Sequence, residues 1–297
     1  MVISRTPLRI SFFGGGTDYP VWYEKNKGLS ISTTINKYVY VTTRNLPPFF
    51  DYNFRIRYTD QEYAKKINEI KHPSVRECLN YVKFKGRLEM QHNADIPALS
   101  GMGSSSAFTV GFLNSIYALQ GKMADKRKLA LDAIFVEQKM IQENVGAQDQ
   151  TAAAYGGFNR IDFGGKQIIS VSPININQQR IDKLEKNLML FYTGVSRQAS
   201  KVAAEQIKST DKKRDELNKM IDIASDAYKI FTKSKANIDE VGKLLDDSWK
   251  IKRTLSSKIS NTLIDEIYEK AIKAGAIGGK LLGAGSGGFM LFYANRN

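Results

Sequence analysis

The chain has 297 residues and a mass of 33.4 kDa, enough for one large domain or two medium ones around sizeable cores. At 42% hydrophobic and 25% charged it has the composition of a soluble globular protein, and its single cysteine, Cys78, excludes an internal disulfide and fits a reducing cytoplasm. The net charge of +14 calls for anionic ligands. Nucleic acid is disfavoured among them: Lys212-Lys213-Arg214 is flanked by Asp211 and Asp215, and no RNA-recognition signature, zinc finger or continuous basic helix occurs. Phosphorylated metabolites are the better expectation. The N-terminal MVISRTPLRIS has no apolar signal core, so secretion is not expected.

In chain order, Leu8, Ile10 and Phe12 alternate with Arg9, Ser11 and Phe13, which predicts a strand running into the turn Gly14-Gly15-Gly16, with Asp18 just beyond it. Alternation over Ser30 to Thr43 predicts a second strand, broken by Leu46-Pro47-Pro48-Phe49-Phe50 and resumed at Arg55 to Tyr58. Tyr63 to Phe84 reads as a helix interrupted at His72-Pro73, and Leu88, Met90 and His92 share one face of a short strand. Lys126 to Asn144 reads as a helix carrying Glu137, followed by GAQDQTAAAYGG with Asp149. Phe158 to Phe163 and Gln167 to Val171 are strands joined by Gly164-Gly165. The weakly patterned stretch near 175–186 marks a domain boundary around residue 180. After a strand at Leu188 to Tyr192 and a loop at Thr193 to Gln198, helical periodicity runs to about Lys273, and the chain closes with Lys280-LLGAGSGG and a strand. His72 and His92 are read as structural.

The stretch Asp95 to Gln120 organises this pattern. Gly101-Met102-Gly103 and Ser104-Ser105-Ser106 precede Phe108, Phe112, Ile116 and Leu119 at helical spacing, so the glycine-serine run opens a helix. A helix start offers unpaired N–H groups and partial positive charge, glycines let backbone close around an oxyanion, and the hydroxyls add donors or a metal ligand. The motif is not a Walker A loop, lacking Gly-Lys-[Ser/Thr], and an ordinary capped loop with Ser104 as N-cap is the alternative. Residues 96–120 carry no charge, yet Pro97, the serines and Asn114 disfavour a lipid-facing span. Three glycine-rich turns, the carboxylates Glu137 and Asp149, and Arg9 together form the kit that phosphoryl transfer needs: a cradle, a hard-cation site, a group to orient the attacking hydroxyl and positive charge. Singly, Glu137 would be a surface or capped helix residue and Asp149 a turn residue.

Three motifs in order, RTPLRISFFGGGTDY, Pro97-Ala-Leu-Ser-Gly101-Met102-Gly103-Ser104-Ser105-Ser106-Ala107 and KLLGAGSGGFML, resemble those of the GHMP small-molecule kinases across nearly the whole chain. The resemblance implies an α+β fold in two parts: an N-terminal mixed α/β nucleotide domain (1–180) and a C-terminal ferredoxin-like domain (181–297). It implies ATP and Mg2+ as cofactors, with Pro97, Gly101, Met102, Gly103, Ser104, Ser105 and Ser106 at the phosphates and Ser105 and Glu137 as metal ligands. Asp149 matches the aspartate set against the acceptor hydroxyl, with Arg9 beside it, and whether it takes the proton or orients the hydroxyl is left open. Asp18 matches a sugar contact, with Gly15, Gly16, Thr17, Gly283 and Gly285 on the substrate side. The glutamate-histidine pair that galactokinase-like members carry is Gly15-Gly16 here, so the sugar's fit on that side must differ.

Within the family, FFGGGTDYPVWY, STTINKYVYV, HPSVREC and IGGKLLGAGSGGF look like members acting on D-glycero-D-manno-heptose 7-phosphate, which implies a phosphorylated sugar as partner and its 1,7-bisphosphate as product. Other sugar kinases share much of the first motif, so the alternatives are a kinase for another sugar, fucose- or galactose-like, and a non-catalytic binding protein on the same fold. Arg197 is a candidate for the acceptor's own phosphate. Phe49, Phe50, Tyr52 and Phe54 either border the adenine or serve core or lid packing. The oligomeric state is left open.

Overall fold

The structure is a computed structural model that describes residues 1–165, 168–195 and 199–295. Strand β1 (Val2–Gly14) runs antiparallel to β2 (Gly28–Asn45), after the short helix α1 (Pro20–Tyr23). Strands β3 (Phe54–Arg57) and β4 (Gln61–Ala64) form a hairpin, and helix α2 (Pro73–Tyr81) leads to β5 (Leu88–Ala94). Tyr63 to Phe84 is therefore not the interrupted helix expected: Tyr63 and Ala64 belong to β4, and Ile67–Glu69 make one 3-10 turn before Pro73 opens α2. Alternation over this short hairpin strand (exposed Gln61 and Tyr63, buried Glu62 and Ala64) was masked by charges that also suit a helix.

Helix α3 (Ser104–Leu119) follows the glycine-serine run as expected. The next helix, α4 (Lys126–Phe135), passes at Val136–Met140 into a π-helical turn and ends there, short of the expected Asn144. Helix α5 (Gln148–Tyr155) forms where a turn segment was read, and β6 (Phe158–Phe163) and β7 (Ile169–Pro173) complete a seven-stranded sheet in the order β4-β3-β5-β2-β6-β7, with β1 paired to β2. The expected Gln167 lies outside the described residues.

The segment near residue 180 is a helix, α6 (Gln178–Asn187), capped by Asn177, whose side chain accepts from Arg180 N at 3.0 Å. It leads into β8 (Leu188–Tyr192). Helices α7 (Ala199–Ser209), α8 (Arg214–Thr232), α9 (Glu240–Arg253) and α10 (Thr262–Lys273) precede β9 (Gly278–Leu281) and β10 (Phe289–Tyr293), which form a three-stranded antiparallel sheet in the order β8-β10-β9. The architecture is α+β. One hydrophobic core runs through both parts: Phe231 of α8 meets the rings of Phe12, Phe13 and Phe158 at 4.9–6.3 Å between centroids. No helix among the described residues is long and apolar enough to cross a membrane.

Candidate active site

The first functional side chain is aimed by a fault in a strand. Before the register shift between Pro7 and Arg9, Ser4 and Thr6 are the residues of β1 that α3 approaches: a Cβ on Gly111 would lie 2.4 Å from Thr6 Oγ1 and 3.1 Å from Ser4 Oγ. After it, the odd positions face that way. Arg9 reaches the glycine-serine loop and Ser11 Oγ donates to Gln148 Oε1 at 2.9 Å. One extra residue in a ladder exchanges the two faces, so the bulge swings a guanidinium under the helix start.

Arg9 is 4% exposed and makes a forked pair with Asp149, in the first turn of α5: Nε donates to Oδ1 at 2.8 Å and Nη2 to Oδ2 at 2.7 Å. Its Nη1 donates to Gly101 O at 2.7 Å, and its backbone N–H donates to Met102 O at 3.1 Å. One arginine therefore ties the strand, the loop and the carboxylate together. The N-cap of α3 is Gly103 rather than Ser104, at φ +74° with no side-chain cap, so no capping side chain takes the helix's first N–H groups. A Cβ at Gly103 would sit 3.3 Å from Arg9 Cγ and 3.4 Å from Asp149 Oδ2; glycine leaves this space to the pair.

These groups open onto a cavity of about 470 Å³. Gly15, Gly16, Asp18, Gly101, Gly103, Ser104, Ser105, Ser106 and Gly283 line it with Arg9 and Asp149. Asp18 is buried beneath Gly146, where burial and then the neighbouring Asp149 charge push its pKa up to about 6. Five expected site residues among those described do not line the cavity, Glu137 and four others. Pro97 is exposed before the loop. Met102 is fully buried in the core and contributes its carbonyl to Arg9. Thr17 is buried, and its Oγ1 accepts from Leu29 N and donates to Leu29 O, fixing the turn to β2. Gly285, at φ +138°, faces the Ile259 backbone, 2.8 Å from where its Cβ would be. Arg197 lies outside the described residues. Phe50 stacks on Tyr52, which meets Tyr63 at a tilt, with Arg55 over Phe50, away from the cavity lining, and Phe49 is 89% exposed.

Glu137, on the π-helical turn, does not line the cavity either; it reaches it through Ser106, which does. Ser106 Oγ donates to Glu137 Oε2 at 2.9 Å and Gln150 Nε2 donates to the same oxygen, while Ser105, the other expected metal ligand, is exposed and lines the cavity. Among the described residues Glu137 Oε1 is buried without a hydrogen-bond partner in reach, and burial pushes the carboxyl's pKa up to about 7 against the opposing pull of the Thr109, Ser106 and Gln150 side chains. An orphaned carboxylate oxygen beside serine hydroxyls is the donor set a small hard cation takes, so the residues fit Mg2+. The two histidines are structural as read. His72 caps α2 by accepting from Val75 N, and His92 packs edge-on against Phe108.

Three of the buried polar side chains in the cavity wall were not singled out as site residues from the sequence. Lys280 Nζ donates to Phe12 O at 2.9 Å; burial, with Lys252 and Arg9 nearby, lowers its pKa well below the usual lysine range. Lys252 Nζ donates to Gly283 O, and burial followed by the Arg9 charge lowers its pKa to about 8. Neither makes a salt bridge among the described residues. The third is Gln206 of α7. Lys280 opens the third glycine motif and was legible as part of it. Lys252 sits on a lysine-rich helix and looked like any solvated lysine.

A glycine-cradled helix start, a forked arginine-aspartate pair and two buried lysines thus share one cavity. The profile of the GHMP kinases N terminal domain matches residues 65–157 and that of the GHMP kinases C terminal domain matches 233–296, together more than half of the chain. The chain belongs to the GHMP kinases. It is 29% identical to D-glycero-alpha-D-manno-heptose 7-phosphate kinase of Campylobacter jejuni over 98% of this chain and 89% of that one. It is 24% identical to galactokinase of Pyrococcus furiosus over 96% of this chain and 86% of that one. Among solved structures it shares its fold with a D-glycero-D-manno-heptose 1-phosphate kinase from Bacteroides thetaiotaomicron (TM-score 0.79, 23% identity, 99% of this chain and 88% of that one). It shares it equally with Streptococcus pneumoniae phosphomevalonate kinase in complex with phosphomevalonate and AMPPNP (TM-score 0.79, 14% identity, 100% and 93%).

Proposed function

We propose that this GHMP kinase transfers the γ-phosphoryl group of ATP to the anomeric hydroxyl of D-glycero-D-manno-heptose 7-phosphate, giving the 1,7-bisphosphate. The observation that carries the reading is the Arg9–Asp149 fork, seated against Gly101 and Gly103 in the cavity that receives the start of α3. Both Asp149 oxygens are held by Arg9, and the carboxylate keeps lone pairs for the acceptor hydroxyl. The N–H groups and hydroxyls of Ser104 to Ser106 hold phosphate oxygens. Lys252 has donors beyond those its carbonyl contacts use and supplies positive charge where a doubly phosphorylated ground state crowds the cavity. Mg2+ would be held by Glu137 with serine hydroxyls of the loop, and when bound it offsets the charge of the nucleotide phosphates.

The heptose as acceptor is supported by the Campylobacter jejuni relative's substrate and by Gly15-Gly16 where galactokinase-like members carry a charged pair. A coupled assay of ADP release with heptose 7-phosphate, galactose and fucose tests it. The heptose phosphate should show the highest kcat/KM; faster turnover of a free sugar overturns the substrate assignment.

A further inference from the structure

At position 16 the space beside the backbone is occupied by a side chain from the other part of the chain. A Cβ there would fall 2.4 Å from Gln206 Nε2 and 3.0 Å from Leu217 Cδ2, and the backbone has φ +78°. Gln206 thus stands in the volume that a side chain at position 16 would fill. It is 5% exposed, yet its amide makes no hydrogen bond among the described residues, and it lines the same cavity as Asp18, Asp149 and Lys252. Its amide atoms are not sealed from solvent, so a ligand in the cavity can pair with them. The end of α7 is tied to the segment after α9, where Ser209 Oγ donates to Leu255 O at 3.0 Å.

We infer that Gln206 is a specificity-determining residue of the acceptor site, pairing with hydroxyl groups of the sugar away from the reacting one. An amide presents a donor and an acceptor side by side, the complement of a hydroxyl, which both gives and takes. Gly16 leaves a space in the cavity wall, and the Gln206 amide fills that space with a polar contact. This rests on the sugar-kinase reading above and deepens it. A site built to pair with a hydroxyl rejects analogues lacking it far more strongly than an apolar pocket rejects an added one.

The test is steady-state kinetics of Gln206→Leu, which keeps the bulk and removes the hydrogen bonds, and of Gln206→Glu, which keeps one acceptor side. On whichever sugar the wild type uses best, Gln206→Leu should raise the acceptor KM about ten- to hundredfold. The KM for ATP should stay within about twofold, and discrimination between that sugar and its epimers or deoxy analogues should shrink. Gln206→Glu should recover part of the acceptor KM. An unchanged acceptor KM, or parallel losses in ATP and acceptor KM with a lowered Tm, overturns the inference. A wild type that prefers a free sugar to heptose 7-phosphate overturns the substrate assignment instead, so the two failures are told apart.

Discussion

Asp149 has no freedom to turn away. Arg9 grips both its oxygens, and Arg9 is itself tied to Gly101 O and Met102 O. Asp149→Asn therefore keeps the shape and replaces one acceptor by a donor that faces the guanidinium. We expect kcat to fall at least about a hundredfold while nucleotide binding, followed by fluorescence titration, survives. An unchanged kcat removes Asp149 from the chemistry. Glu137 offers a second handle because proton and cation compete for the same carboxylate. With its pKa near 7, the charged form is the minor one at pH 6 and the major one at pH 8. The apparent Mg2+ affinity for activation should weaken about tenfold from pH 8 to pH 6, and added Mg2+ should shift the acid limb of the rate profile downward. A Mg2+ requirement independent of pH over that range excludes Glu137 as a ligand. Ser106→Ala should mimic the acid condition by removing a hydrogen bond to the ionised form, whereas Ser105→Ala should leave the pH dependence in place.

At the scale of elements, the glycine motifs were legible because a need for positive φ or close approach leaves glycine few substitutes. What they approach was not. Gly283 and Gly101 press backbone on backbone: a Cβ on Gly283 would lie 2.7 Å from Gly101 Cα, and one on Gly101 would lie 2.7 Å from Leu282 O, both at positive φ. Gly283→Ala should thus displace the phosphate loop itself, lowering both Tm and the affinity for ATP by at least about tenfold; an ATP affinity unchanged in that variant contradicts the contact. Arg9 was read from its motif, but its aim was not, because a bulge leaves no mark in an alternating pattern. Glu137 was expected mid-helix, and its place on a π-helical turn depends on tertiary packing that periodicity does not report. The hairpin at Gln61–Ala64 was lost to local charge, and α6 was lost because its few apolar positions, such as buried Leu184, sit among lysines, glutamates and asparagines.

Over the whole molecule, the cavity collects buried ionisable groups whose costs are set against stability. Asp18, moved from 3.8 to about 6, and Glu137, moved from 4.5 to about 7, bind more protons folded than unfolded between roughly pH 4 and 7, so their contribution to stability falls as pH rises through that window. Lys252, moved from 10.5 to about 8, binds fewer protons when folded, so its cost is present at neutral pH and fades as pH rises from 8 toward 10.5. Glu137→Gln should consequently gain Tm relative to wild type at pH 7.5 by more than it does at pH 5.5, measured without metal or nucleotide; a difference constant with pH refutes the assignment. These costs were invisible in the sequence, since burial of Lys252 and Lys280 against carbonyls is a property of the assembled fold. The kinase family and the α+β class were legible in the ordered motifs, which survive as short local signatures.

The seam between the second and third glycine motifs carries one more implication. Phe289 N donates to Ser100 O at 3.2 Å, and a Cβ on Gly288 would fall 2.4 Å from that same carbonyl. The last strand of the chain is thereby stitched to the residue just before the anion-binding turn. A fragment ending before β9 would keep every serine of that turn and lose the surface that moulds it. On the proposed reading, nucleotide binding thus depends on two segments nearly two hundred residues apart, the serine-rich turn and the strand β10 that packs behind it.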